Sequence, residues 1–168
     1  MNSRYLFVAA PPLKEHETTK GFPLIPLSNE DSEGEYYLDA QQEVEVIENA
    51  GDYRVSTRLY IYQLWDAPDH QLFSWHYHPE DPLSPVPYPH VHIYSAQRSQ
   101  DAGLRLLHKE HIPSGRVSLE DVSMFLIKEL GFSPQSKDWE KVIIESAHRC
   151  ERNMTWGRRN ERVFPYTE

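Results

Sequence analysis

The sequence is short of cysteine, glycine, long apolar runs and positive charge, and each shortage closes off a class of protein. A single cysteine, Cys150, among 168 residues rules out an intrachain disulfide framework and a zinc module built on thiolates. The seven glycines are scattered. The step Ser114-Gly-Arg116 reads as a turn before a helix cap, not as a loop that cradles phosphate. No stretch approaches the roughly 20 apolar residues that a membrane span requires. Only 17 lysines and arginines stand against 26 acids, and the net charge of −9 argues against a generally basic nucleic-acid coat. The first dozen residues carry one basic residue and an apolar stretch too short for a secretory leader. These features lead to the expectation of a soluble, cytoplasmic protein in a reducing compartment.

What is present is enough for a core: 39% of residues are hydrophobic and 12% aromatic, which suits one domain of ordinary size. Charge is uneven. Residues 1–52 hold eleven acids against Arg4, Lys14 and Lys20, whereas Arg149, Arg152, Arg158, Arg159 and Arg162 crowd the C-terminal end. Segment 9–35 contains four prolines and the polar run Ser28-Asn-Glu-Asp-Ser-Glu-Gly-Glu35, without helical or strand periodicity. Residues 1–35 are therefore predicted to form an irregular acidic arm, with at most a short strand at Tyr5–Val8, ahead of a single domain over 36–168.

From Tyr36 the pattern is that of strands. Residues 43–48, 53–65, 72–78 and 90–94 are rich in β-branched and aromatic residues, and Asn49-Ala-Gly-Asp52 makes a turn between the first two. Odd positions carry the apolar bulk: Val55, Leu59, Ile61 and Trp65, then Phe73, Trp75 and Tyr77, then Val91 and Ile93. A shared parity predicts an antiparallel meander with one apolar face. Ser118 is a helix N-cap by its spacing from Asp121, Leu119, Val122, Leu126 and Leu130 draw an apolar stripe, and Gly131 ends it. A second helix is predicted from about Ser136 to Asn153. The fold class is α+β: an antiparallel β-meander sheet with two C-terminal helices packed on one face, leaving the other face open or under the acidic arm.

The pointed feature is a pair of His-x-His steps, His76-Tyr-His78 and His90-Val-His92, separated by a proline-rich loop. Alternate residues of a strand share a face, so each step projects two imidazoles the same way. If Tyr77 faces Val91, His76 faces His92 and His78 faces His90. If Ile61 also faces Tyr77, Arg58, Tyr60 and Tyr62 flank the cluster. Three chemistries suit it. Neutral imidazoles bind a divalent ion such as Zn²⁺, with His76, His78, His90 and His92 as ligands. Alternatively, the four histidines supply acid and base for phosphodiester cleavage, with Arg58 or Tyr62 stabilising charge on the phosphate. Or the rings form a stacking platform for single-stranded nucleic acid. The plain alternative is a polar, solvated strand face. His108 and His111, three apart just before the first helix, read as loop residues that the fold could also bring to the cluster, His148 as a helix-surface histidine, and Cys150 as buried on the second helix. A non-catalytic module, binding a protein partner through the acidic arm and the arginine-rich end, is the third functional class.

The stretches Tyr60-Ile-Tyr-Gln-Leu-Trp-Asp-Ala-Pro-Asp-His-Gln-Leu-Phe73, Trp75-His-Tyr-His-Pro79, Pro89-His-Val-His92 and Val117-Ser-Leu-Glu-Asp-Val122 resemble, in that order, the TumE-type toxin family of bacterial toxin–antitoxin modules. The likeness spans about half the chain, to which this sequence adds the acidic arm and a second helix with an arginine-rich tail. It implies a small intracellular protein that acts on RNA or another core target and is restrained by an antitoxin partner. It assigns no catalytic residue.

Overall fold

The computed structural model describes residues 3–8, 18–19, 22–29, 34–49, 51–67, 70–80, 86–94, 100, 102–108 and 110–155. Two long strands form its spine. β5 (Tyr36–Asn49) and β6 (Asp52–Ala67) make an antiparallel hairpin whose turn places Gly51 at φ 85°, a conformation that favours glycine. β7 (His70–Tyr77), β8 (His90–Ile93) and the two-residue β9 (Ile112–Pro113) continue the meander, all antiparallel. β1 (Ser3–Val8) and β4 (Ile25–Leu27) share the outer edge of β5, giving the order β1-β5-β6-β7-β8-β9 with β4 beside β5. β2 (Thr18–Thr19) and β3 (Phe22–Pro23) pair with each other in a separate two-stranded sheet.

The predicted irregular arm is thus partly sheet. An uncovered β5 edge would leave its backbone groups without ladder partners, and residues 3–8 and 25–27 supply them. The second segment is held from its other side as well, because the Ser133 N–H donates to the Ser28 carbonyl at 2.8 Å. Residues 9–17, 20–21 and 30–33 of the arm, together with Trp156, Arg158, Arg159 and Arg162, lie outside the described residues.

Two helices close one sheet face, as the sequence pattern predicts, after a single turn, α1 (Ala102–Arg105). α2 (Leu119–Lys128) opens with a complete capping box: the Asp121 N–H donates to Ser118 Oγ at 3.2 Å and the Ser118 N–H to Asp121 Oδ2 at 2.7 Å. Gly131, at φ 73°, reverses the chain after it, and the Phe132 N–H reaches back to the Leu126 carbonyl. α3 (Trp139–Asn153) starts three residues later than predicted and docks through its C-terminal end, where the Thr155 N–H donates to Val55. No helix among the described residues is long and apolar enough to cross a membrane.

The core between sheet and helices contains Leu38, Ala40, Tyr60, Tyr62, Leu64, Trp75 and Tyr77 against Val117, Val122, Leu126 and Phe132. Its aromatic rings pack along a strand, across strands and onto the helices: Tyr60 stacks on Tyr62 at 5.1 Å and lies 5.7 Å from Tyr77 of β7, and Trp75 meets Phe125 edge-on at 5.6 Å. β7 and β8 keep the predicted parity. β6 does not, since its core residues Tyr60, Tyr62 and Leu64 are even-numbered. The cause is a bulge: Glu43 faces Leu59 but Val44 faces Thr57, so Arg58 is an extra residue in β6. Before the bulge Val55 and Thr57 share the helix side, while beyond it Leu59 and Ile61 turn to the opposite side.

Candidate metal centre

The histidines occupy the face away from the helices. His76 lies directly opposite His90, Trp75 opposite Val91 and Ser74 opposite His92. The register differs by two residues from the one predicted by facing Tyr77 with Val91. An even shift changes which rings oppose one another but not the face they share, so His76, His78, His90 and His92 still converge.

A fifth ring joins them. β9 pairs Val91 with Ile112, and one step further along that ladder His111 comes alongside His92, with ring centroids 4.7 Å apart. Sequence reasoning placed His111 in a loop, because a two-residue strand containing Pro113 carries no strand signal. Its only legible sign was a third histidine-containing segment near the other two. His108 sits outside, next to Tyr94 at 6.1 Å. His148 is exposed on α3.

The rings are close enough to serve one ion. Centroid separations are 5.5 Å for His76–His90, 5.4 Å for His78–His90, 4.9 Å for His90–His92 and 4.9 Å for His90–His111. Two imidazoles bound to one tetrahedral ion at about 2.0 Å would hold their centroids about 5 Å apart. Ligand atoms of His76, His78 and His90 all lie within 4.8 Å of one another, as do those of His90, His92 and His111. His90 belongs to both sets. Its Nδ1–H donates to the Tyr88 carbonyl at 2.9 Å, the tautomer that leaves Nε2 with a free lone pair. That Nε2, His76 Nε2 and His78 Nδ1 are buried with no hydrogen-bond partner among the described residues.

The face is not open at this point. His90 is fully buried and His92 nearly so, because the rings pack edge to face against one another. Burial and the neighbouring imidazoles push the His76 pKa from 6.5 down to about 3. Burial also lowers that of His90, against the opposing effect of its bond to Tyr88. Both are neutral at ordinary pH, the form that donates a lone pair to a metal.

The other two predicted site residues are placed differently. Tyr62 pairs in register with Trp75 and points into the core under the helices, on the far side of the sheet from the imidazoles. The Arg58 bulge moved it there by changing the parity of β6. Arg58 itself binds two carboxylates, donating from Nε to Glu45 at 2.6 Å and from Nη1 to Glu80 at 3.4 Å, with Nη2 also on Glu45. Its charge is matched within the fold, two residues past His78, and does not point at an open anion site. Cys150 is half-buried on α3, and its Sγ–H donates to Glu120 Oε1 at 3.3 Å.

The chain matches no protein-family model, no curated protein and no solved structure. The likeness to TumE-type toxins therefore rests on the quoted motifs alone, and the chemistry of the site rests on its residues.

Proposed function

We propose that this chain binds one first-row divalent transition-metal ion, of the zinc class, through the histidines of β7, β8 and the start of β9. The observation that carries the reading is the state of His90: Nδ1 is spent on a backbone carbonyl, and Nε2 is buried, without a partner among the described residues, and ringed by four further imidazoles. A backbone carbonyl on the second nitrogen is the usual support of a ligating histidine. Donors that are all neutral nitrogen suit zinc, copper, nickel or cobalt rather than magnesium or calcium. Bound to neutral ligands, such an ion keeps its double positive charge, acidifies a coordinated water and polarises a phosphoryl oxygen.

The proposed use is hydrolysis of a phosphodiester, RNA being one of the targets that the toxin resemblance implies, with an antitoxin-like protein as the partner. Metal-free acid–base cleavage fits less well. It needs one protonated imidazole beside a neutral one near pH 7, and burial removes His76 and His90 from the role of the acid.

The test is elemental mass spectrometry on untagged protein, with a His90→Ala/His92→Ala variant alongside. One equivalent of metal in the native chain, lost in the variant while its circular dichroism is retained, supports the reading. No metal in either protein after incubation with Zn²⁺, Ni²⁺ or Mn²⁺ overturns it.

A further inference from the structure

The five imidazoles do not make one symmetrical nest. They fall into two sets of three that share a single member, His90. An inner set comprises His76 and His78, at the end of β7, with His90. An outer set comprises His90 and His92 on β8 with His111, which stands exposed just ahead of β9.

We infer that these are two alternative seats for the same ion, occupied one at a time, so that the centre is built to exchange its metal. This deepens the metal reading above and rests on it. The argument is one of valence. An imidazole reaches a metal through one lone pair per nitrogen, and the Nδ1 of His90 carries a proton held by Tyr88. Only Nε2 remains, and it serves one ion. Occupation of either seat therefore empties the other, and an ion passes between them by trading two ligands while keeping the third.

The two seats differ in access. His111 is exposed, whereas His92 beside it and the shared His90 are buried, so the outer seat presents one displaceable ligand to solvent. The inner seat draws His76 and His90 from directly opposed positions of a paired ladder, which holds their backbones rigidly. An ion captured at His111 thus has a short path inward around His90. A structural metal would be enclosed by one closed ligand set, and here that closure is missing.

The test is a titration of the full chain with Co²⁺, whose visible spectrum reports its ligand set, followed by competition with a chelator. Four variants are compared with the native chain: His78→Ala, His111→Ala, the double variant His78→Ala/His111→Ala, and His90→Ala. The expected result is one equivalent in the native chain and in each of the single variants His78→Ala and His111→Ala, these two giving different spectra and affinities weakened by about tenfold or less. The double variant loses about a hundredfold or more, and so does His90→Ala. His78 is half-buried and His111 exposed, so the double variant decides the matter even if His90→Ala fails to fold. Two equivalents in the native chain, falling to one in each single variant, would overturn the inference in favour of independent seats. Loss of binding in either single variant would overturn it in favour of one fixed seat. Both of those outcomes leave the metal reading standing, whereas absence of binding to the native chain overturns the two together.

Discussion

The two faces of the central sheet are made from the same strands, residue by residue, and gather different polar groups: scattered hydroxyls on one, converging imidazoles on the other. On the helix side, hydroxyls are built into the packing: the Tyr60 oxygen accepts from the Val117 N–H at 3.2 Å, and the Tyr77 oxygen accepts from Arg116. On the far side, three ring nitrogens of the histidine cluster are buried without a partner among the described residues. An unsatisfied buried polar atom costs stability. The helix face has an unpartnered hydroxyl of its own among the described residues, that of Tyr62, but on the far face three such nitrogens converge on one point, an arrangement that a ligand would complete. Trp75 next to His76, and Val91 between His90 and His92, show how closely the two roles interleave.

That contrast predicts different responses to substitution. The largest effect falls on the helix face. Tyr60 is fully buried, stacked on Tyr62 and bonded to Val117. Tyr60→Ala is expected to lower unfolding free energy by about 3–5 kcal/mol, as large aromatic truncations do, measured by urea denaturation. A loss below 1 kcal/mol would break the assignment of this face to the core.

The histidine face should show itself through pH. The unfolded chain protonates His76 near 6.5, whereas the folded chain resists until about pH 3. The contribution of this ring to stability is therefore full above about 6.5 and falls as the pH drops toward 3. In metal-free protein the loss is expected to be on the order of 2–4 kcal/mol. His76→Gln, which carries no titrating group, should flatten the dependence of the urea midpoint on pH over that window. An unchanged slope would show that the ring is not held neutral.

The smallest effect sharpens the comparison at a point remote from both. Ser118→Ala removes the side-chain half of the capping box that starts α2. A loss of about 1 kcal/mol is expected, with metal content unaltered, because the cap supports the helix layer and touches none of the imidazoles. A change in bound metal would mean that the two faces are more tightly coupled than their separate contacts suggest.

Much of the architecture was legible in short-range pattern. Alternating aromatics mark β7, Ser118 with Asp121 marks the start of α2, and Gly131 marks its end; each is a local preference that the tertiary structure leaves alone. β6 was legible as a strand but not in its orientation, since the extra residue Arg58 reverses its parity halfway along. Nothing local announces that bulge. It arises from pairing with Glu43 and Val44, some fifteen residues earlier in the chain. Tyr62 moved from the predicted site into the core for that reason alone. Within the arm, residues 25–27 became strand by completing the edge of β5, and their own sequence, with Pro26 at its centre, carries little strand propensity.

By itself, the sequence determined that His76 and His78 share a face, and that His90 and His92 do. The strand period is two, and no even change of register alters it. It also determined that the helix layer would cover the face of Phe73, Trp75, Tyr77 and Val91, since that side of β7 and β8 offers apolar area to bury. The tertiary structure alone decided that His76 opposes His90, that His111 arrives from an unmarked two-residue strand, and that Tyr88 fixes the His90 tautomer. Those are outcomes of long-range ladder pairing, in which many weak preferences spread over several strands select one register, and no single residue carries enough energy to announce it.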